Sequence, residues 1–196
     1  MDKCLLHVCC APCSIAVIDE LKNDYDLTVY FYNPNIYPEQ EYLKRKAEVV
    51  RVCNEWKIPM IDADYETQNW EECTKGLENE PEGGKRCLNC FAMRLNKAGE
   101  YAKQNNFDIF ATTLTSGRNK KADVIHPLGF KIAEKFGLKF LDIDWKTEGR
   151  QEKGRKMVKD RGIYRQDYCG CRFSIENRTQ NSNIIRRGGQ NHNLKP

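Results

Sequence analysis

The length, composition and charge of the chain exclude several classes of protein. A mean hydropathy of −0.74 over 196 residues leaves no room for a membrane span, and residues 1–10, MDKCLLHVCC, lack the basic region and long apolar core of a secretory signal. Ten cysteines are about half the density of small disulfide-stapled scaffolds. Because 40% of the residues are hydrophobic, a core can form without disulfides, and we expect a cytoplasmic protein, without membrane contact, whose thiols serve chemistry.

Most of the formal net charge of +4 lies at the end of the chain. Arg186, Arg187 and Lys195 account for three of these charges, since residues 179–196 contain no acid. This segment, TQNSNIIRRGGQNHNLKP, has the polar composition of a disordered tail. We therefore expect a single α/β metalloenzyme domain over residues 1–178, followed by a disordered tail over residues 179–196.

Short apolar runs alternate with segments of helical periodicity along the chain. The predicted strands are residues 4–8, 27–32, 59–63, 107–114 and 138–144, and the predicted helices are residues 14–23, 39–56, 87–104, 122–136 and 149–160. Between them, residues 69–86 have a weaker pattern, and ENEPEGGKR at 78–86 is typical of a mobile surface loop. The alternation predicts a Rossmann-like, doubly wound, mostly parallel sheet of five strands.

The strand order decides where a ligand would bind. In a sheet of order 3-2-1-4-5, the crevice beyond the carboxyl ends of strands one and four is the usual ligand site. The segments that leave these two strands are CCAPCS at 9–14 and TSGRNKK at 115–121. The sequence therefore predicts a cysteine-rich site at this edge of the sheet.

Seven of the cysteines fall into three groups, which are Cys9, Cys10 and Cys13, then Cys87 and Cys90, and finally Cys169 and Cys171. A Cys-X-X-Cys pair at a helix start brings both sulfurs to one side of the turn. Four thiolates from the first two groups could hold zinc or an iron–sulfur cluster, and adjacent cysteines favour the cluster. The isolated Cys4, Cys53 and Cys73 are typical of buried structural thiols.

The Cys-Gly-Cys group allows two interpretations. Two cysteines one residue apart can close only a small, strained disulfide, and strained disulfides are easily reduced. Gly170 gives the backbone the freedom to form such a ring. The alternative is that Cys169 and Cys171 are two further metal ligands.

Four motifs, in their order and spacing, resemble the epoxyqueuosine reductases of the QueH type. They are HVCCAPC, RCLNCFAMRL, TTLTSGRNK and YRQDYCGCRFS, and the resemblance runs over about residues 3–178. It implies a fold akin to the PP-loop adenine-nucleotide hydrolases. The activity it implies is the last step of queuosine biosynthesis, in which epoxyqueuosine at the wobble position of tRNA is reduced to queuosine without cobalamin.

The resemblance also implies a set of site residues and cofactors. A 4Fe-4S cluster would be held by Cys9, Cys10, Cys87 and Cys90, with a second, mononuclear iron beside it, while Cys169 and Cys171 would form a redox-active disulfide. Cys13 is then spare, and its position at a helix start makes it a candidate ligand of the second iron or a proton donor. A ferredoxin- or flavodoxin-like donor, or a chemical reductant, would supply electrons.

Basic residues beside the predicted crevice are candidates for holding tRNA. Arg118, Lys120 and Lys121 follow strand four, and residues 146–165 carry eight basic residues against three acids, a pattern that also fits a solvated helix. Two other functions fit parts of the sequence. One is an iron–sulfur-dependent tRNA sulfurtransferase of the PP-loop type, although CCAPCS replaces its glycine-rich loop. The other is a zinc-stabilised tRNA-binding module.

Overall fold

The computed structural model describes residues 1–175, so the predicted tail at 179–196 lies outside the described residues. The strands are β1 (Lys3–His7), β2 (Asp26–Phe31), β3 (Met60–Asp62), β4 (Ile109–Thr112) and β5 (Lys139–Phe140). The helices are α1 (Ala11–Leu21), α2 (Glu39–Trp56), α3 (Thr67–Thr74), α4 (Lys85–Gln104), α5 (Ala122–Phe136) and α6 (Arg150–Asp160), with a 3-10 turn at Leu114–Ser116.

The strands form one parallel sheet of order β3-β2-β1-β4-β5, which confirms the predicted fold. The strand β1 lies at the centre, with Leu5 paired to Thr28 of β2 on one side and to Phe110 of β4 on the other. Since β2 and β4 continue the sheet in opposite directions, the strand order reverses between β1 and β4. Of the helices within residues 1–175, none is long and apolar enough to cross a bilayer.

Alternate residues of the strands supply two hydrophobic cores, one on each face of the sheet. Leu6 and Val29 face the core that contains α1, α2 and α6, whereas Leu5 and Phe110 face the core that contains α4 and α5. The central strands are buried on both faces, which explains why they read as continuous apolar runs.

Two helices differ from the prediction in ways that affect the site. The first helix begins at Ala11, not at Ser14, with Cys10 at its N-cap position and Pro12 in its first turn. Pro12 fits there because the first-turn N–H groups have no partner within the helix. In addition, α3 forms where the periodicity is weak, because its Trp70 is buried against Phe173. The CCAPC motif therefore spans the N-cap and first turn of α1, with Cys9 directly before them.

Close packing between α5 and β5 depends on a glycine. A Cβ atom placed on Gly129 would lie 2.3 Å from the ring of Phe140, far inside van der Waals contact. By contrast, a Cβ on Gly154 of α6 would lie 3.6 Å from Ala16, an ordinary contact. A methyl group is therefore excluded at Gly129 and tolerated at Gly154.

We expect Gly129→Ala to lower the free energy of unfolding by about 1–3 kcal/mol, because Phe140 must shift to admit the methyl group. The control, Gly154→Ala, should leave stability unchanged or raise it by up to about 1 kcal/mol, since alanine is the better helix former. Urea unfolding followed by circular dichroism measures both values. Equal stability of the Gly129→Ala variant and the parent would contradict the packing described here.

Candidate metal and redox site

The cysteine turn is attached to the carboxyl end of β4 by hydrogen bonds. The amide of Cys9 donates to Thr113 Oγ1 at 3.3 Å, and the hydroxyl of Ser116 donates to the carbonyl of Cys13 at 3.0 Å. Thr113 in turn donates its amide to the carbonyl of His7 at 2.9 Å. The first turn of α1 and the 3-10 turn after β4 thus meet where the strand order reverses.

The sulfurs of Cys9, Cys10 and Cys13 form a compact group. All three lie within 4.8 Å of one another, and those of Cys9 and Cys10 are 3.8 Å apart. Hydrogen bonds from Cys10 and Cys13 lower the pKa of Cys9, whereas the hydrogen bonds of Cys13 with Cys10 and Cys9, and then its burial, raise the pKa of Cys13. Cys9 is therefore the first of the three to become a thiolate, and the proton stays on Cys13.

The three cysteine groups converge on one cavity of about 850 Å³. Cys9 and Cys13 line it from α1, Cys87 lines it from the first turn of α4, and Cys169 lines it from the segment after α6. The amide of Gly83 donates to the sulfur of Cys87 at 3.2 Å. This convergence of thiols from distant parts of the chain is what a multinuclear metal centre requires.

Three of the predicted site cysteines, Cys10, Cys90 and Cys171, do not line this cavity. Cys90 and Cys171 pack in a small buried cluster with Trp70 and Phe173. The compact group of three sulfurs contains Cys13 but neither Cys87 nor Cys90, so the predicted four-cysteine ligand set is not assembled as one tight group. All ten cysteines, including Cys169 and Cys171, are free thiols.

The structure separates the three predicted substrate-binding cations. Arg118 is exposed and lines the cavity, whereas Lys121 is exposed and lies outside it. Lys120 lines the cavity but is only 7% exposed. Burial opposes its charge, yet interaction with the thiolate forms of Cys169 and Cys9 outweighs burial and raises the pKa of Lys120. Because burial raises the pKa of Cys169 to about 11, Lys120 acts as a buried counter-charge mainly to Cys9.

Two buried arginines of α4 were missed by the sequence analysis. Arg94 is 2% exposed and donates to Asn33 Oδ1, and Asn33 donates to the carbonyl of Val8. Arg86 donates to three backbone carbonyls, those of Leu77, Glu78 and Glu80. The sequence contained a signal for them, because positions 86, 90 and 94 share one face of a helix. Both arginines therefore lie on the side of α4 that carries Cys90.

Residues 78–84 form a surface loop as predicted, α4 begins at Lys85, and Arg86 binds the backbone of that loop. Its guanidinium group lies 4.5 Å from the ring centre of Phe173, two residues after Cys171. One side chain therefore fixes the backbone before Cys87 and packs against the segment that carries Cys171.

The geometry thus defines the class of protein: a doubly wound α/β protein with thiols gathered at the point where the strand order reverses. A family model described as "Epoxyqueuosine reductase QueH" matches residues 4–177, and the chain belongs to this family. The proteins named epoxyqueuosine reductase QueH of Histophilus somni and Thermotoga maritima are similar to it. The first is 44% identical over 176 residues, covering 89% of this chain and 72% of the relative, and the second is 35% identical over 193 residues, covering 96% and 99%.

A solved structure supports the fold at lower identity. The U34-tRNA thiolase NcsA from Methanococcus maripaludis with its [4Fe-4S] cluster superposes with a TM-score of 0.56 and 14% identity, covering 97% of this chain and 68% of the thiolase. At this identity the likeness shows the shared fold alone. The sulfurtransferase alternative therefore gains no support from it, whereas the relatives named above are reductases.

Below the cysteine turn, a neutral histidine holds the ends of β1, β2 and β4 together. The ring of His7 is fully buried, with Nδ1 2.9 Å from Thr112 Oγ1 and Nε2 3.2 Å from the carbonyl of Tyr32. Burial, and secondarily the charge of Arg94, lower the pKa of His7 from 6.5 to about 3. Between about pH 3 and pH 6.5, His7 is therefore protonated in the unfolded chain and neutral in the folded protein.

This depressed pKa predicts that stability is lost as the pH falls below 6.5, because only the unfolded His7 is protonated there. Between about pH 8 and about pH 5 the histidine should account for a loss of ~2 kcal/mol in the free energy of unfolding. The variant His7→Gln can still bond to Thr112 and Tyr32 but cannot titrate, so its loss over this range should be smaller by that amount. Parallel pH-dependence of the two proteins in urea unfolding would refute the assignment.

Proposed function

We propose that the protein reduces epoxyqueuosine to queuosine at the wobble position of tRNA, the last step of queuosine biosynthesis, in the cytoplasm and without cobalamin. The observation that carries this proposal is the cavity of about 850 Å³, where thiols from three parts of the chain meet beside basic side chains, in a member of the QueH family. Epoxide removal consumes two electrons and two protons, and thiols are suited to supply both.

The thiols that line the cavity, together with those packed beside it, fit an iron–sulfur cluster. Soft thiolates are the ligands that such clusters take, and we assign Cys9, Cys10, Cys87 and Cys90 to a 4Fe-4S cluster. Cys87 lines the cavity with Cys9, and Cys10 lies 3.8 Å from Cys9, sulfur to sulfur. When bound, the cluster supplies one-electron transfer, and a second, mononuclear iron beside it supplies a Lewis acid for the epoxide oxygen.

Cys169 and Cys171 are assigned as the two-electron couple. In the balanced step the two thiols become a disulfide, the epoxide becomes an alkene, and the epoxide oxygen leaves as water with the two thiol protons. A ferredoxin- or flavodoxin-like carrier then returns two electrons, and two protons come from solvent. Cys169 lines the cavity and is therefore the member of the pair that can meet the substrate.

Cys13 is assigned to relaying one of these thiol protons: it gives its own proton to the epoxide oxygen and takes one from the couple, so the balance is unchanged. Its thiol keeps its proton, since hydrogen bonds to Cys10 and Cys9 raise its pKa, and it lines the cavity that would hold the substrate. Lys120, buried in the same wall, stabilises negative charge at Cys169 and Cys9. Proton transfer by Cys13 and stabilisation of negative charge by Lys120 are therefore carried out by separate side chains.

The tRNA is held by the positive charge of the cavity wall. Seven basic and three acidic residues line the cavity, whereas residues 1–175 as a whole contain 28 basic and 27 acidic residues. The surplus of positive charge is therefore concentrated at the cavity, and the remaining surface is net negative. Arg118, Arg155 and Arg165 are exposed on this wall and suit phosphate contacts, with Lys121 just outside it.

Loss of cluster ligands is the first test. In anaerobically purified Cys87→Ser and Cys90→Ser proteins we expect most of the iron to be lost, because serine is a poor ligand for these irons, while the parent retains about four irons per chain in the cluster. The control is Cys53→Ala, which removes a buried thiol of α2 outside the cavity and should retain iron. Iron and sulfide analysis with an absorption spectrum decides, and full iron in either serine variant rules out these ligands.

The redox couple is tested separately. Cys169→Ser and Cys171→Ser proteins should keep the iron and sulfide content of the parent but lose turnover of epoxyqueuosine tRNA with a chemical reductant. Nucleoside analysis by mass spectrometry measures queuosine formed. Retained turnover in both variants, or loss of the cluster in either, would show that the Cys-Gly-Cys motif has another role.

A further inference from the structure

A buried arginine binds the backbone of the Cys-Gly-Cys motif. The side chain of Arg45, on α2, is 2% exposed. Its Nη1 donates to the carbonyl of Cys169 at 3.0 Å and its Nη2 to the carbonyl of Tyr168 at 3.4 Å. Its Nε donates to Glu41 Oε1 at 2.7 Å, one helical turn earlier on α2. The guanidinium group thus joins α2 to the segment that carries the proposed redox couple.

Glu41 fixes the direction of the guanidinium group. Its second oxygen, Oε2, accepts a hydrogen bond of 2.9 Å from the hydroxyl of Tyr164, so both carboxylate oxygens are engaged. Arg45 also lies over the ring of Tyr168, with 5.0 Å between guanidinium carbon and ring centre. With Nε anchored on Glu41, the two Nη groups can face only the carbonyls of Tyr168 and Cys169.

Both backbone groups of Gly170 are bound as well. Gly170 accepts from the amide of Tyr37 at 2.8 Å and donates to Ser174 Oγ at 3.3 Å. The backbone at Gly170 has φ of +137°, and a Cβ atom there would lie 3.0 Å from Arg45 Nη1. The glycine is therefore required both by its conformation and by the approach of the arginine.

In this bound conformation the two thiols face different surroundings. Cys169 lines the cavity, whereas Cys171 packs with Trp70 and Phe173 in the small buried cluster beside it. A disulfide requires the two Cβ atoms to approach within about 4.5 Å with a fixed torsion between the sulfurs. The two thiols are unbonded in this conformation, and turning the peptide between Cys169 and Gly170 to bring the sulfurs together would move the carbonyl that Arg45 holds.

We propose that Arg45, oriented by Glu41, is a positioning residue that stabilises the dithiol form of Cys169 and Cys171 relative to their disulfide. The inference rests on the proposed function only in taking these cysteines as the redox couple. A contact made in one state and weakened in the other shifts the equilibrium by the difference in its free energy. Arg45 therefore makes the disulfide easier to reduce after each turnover.

The test measures the thiol–disulfide equilibrium directly. The full-length protein is equilibrated anaerobically at a series of ratios of reduced to oxidised glutathione, where glutathione disulfide accepts the two electrons and two thiol protons of the pair. Free thiols are then alkylated and the protein is digested with trypsin. Cleavage after Arg165 and Arg172 releases residues 166–172, which contain Cys169 and Cys171 and no other cysteine, so mass spectrometry reports the linked fraction of this pair alone.

The variants are Arg45→Lys and Glu41→Gln, with Arg51→Lys as the control. Arg51 is also on α2, pairs with Glu48 and donates to the backbone carbonyl of Arg161, but lies outside the cavity. Lysine keeps the charge of Arg45 but cannot bind Glu41 and both carbonyls together. We expect the equilibrium constant for disulfide formation to rise by at least about tenfold in Arg45→Lys, by less in Glu41→Gln, and to stay at the parent value in Arg51→Lys.

Several outcomes would overturn the proposal. They are an unchanged constant in Arg45→Lys, a shift toward the dithiol, a shift of equal size in Arg51→Lys, or a parent in which the pair never links. Should Arg45→Lys fail to fold, Glu41→Gln decides by the same criterion. Turnover of epoxyqueuosine tRNA by the parent is measured in parallel. If Arg45→Lys shows the expected shift but the parent shows no turnover, the proposed function is refuted and the role of Arg45 stands.

Discussion

Positive charge buried beside the thiols is the constraint on which the site depends. Arg45, Arg94 and Lys120 are each 7% exposed or less, and each interacts electrostatically with Cys9 or Cys10. Burying a thiolate away from water is costly unless a cation lies close to it, and burying a cation without an anion is equally costly. Lys120 and Arg94 therefore stabilise the thiolate form of Cys9, whereas the charge of Arg45 is balanced mainly by Glu41.

The sheet explains how cations from three distant segments reach the same place. Arg45 comes from α2, Arg94 from α4 and Lys120 from the segment after the 3-10 turn, and these segments all meet beyond the carboxyl ends of β1 and β4. The guanidinium groups of Arg45 and Arg94 also bind a backbone oxygen and an amide oxygen, so each arginine fixes a piece of chain as well as a charge. The same arginine side chains thus supply positive charge to the site and hold its backbone segments in place.

The sequence predicted the parallel sheet and a cysteine-rich site at the carboxyl ends of its strands, because these follow from apolar periodicity and from the rules of parallel sheets. It did not predict Arg45, Arg94 or the anchoring by Arg86, since an arginine in a helical pattern is normally a solvated residue. Their burial depends on acceptors far away in the chain, such as the carbonyl of Cys169 for Arg45, 124 residues later. The helix start at Ala11 was missed for a local reason, because CCAPC has no usual capping side chain.

The arginines that remain incompletely bound indicate where further negative charge belongs. Among residues 1–175, Arg94 Nε and Arg86 Nε have no hydrogen-bond acceptor although both are buried. A buried donor without an acceptor costs about 1–3 kcal/mol, and a charged one costs more. Arg94 lowers the pKa of Cys9 and so lies close enough to stabilise negative charge held there. A thiolate-ligated cluster would place that charge beside Arg94, so that binding the cluster and stabilising the fold become one free-energy change.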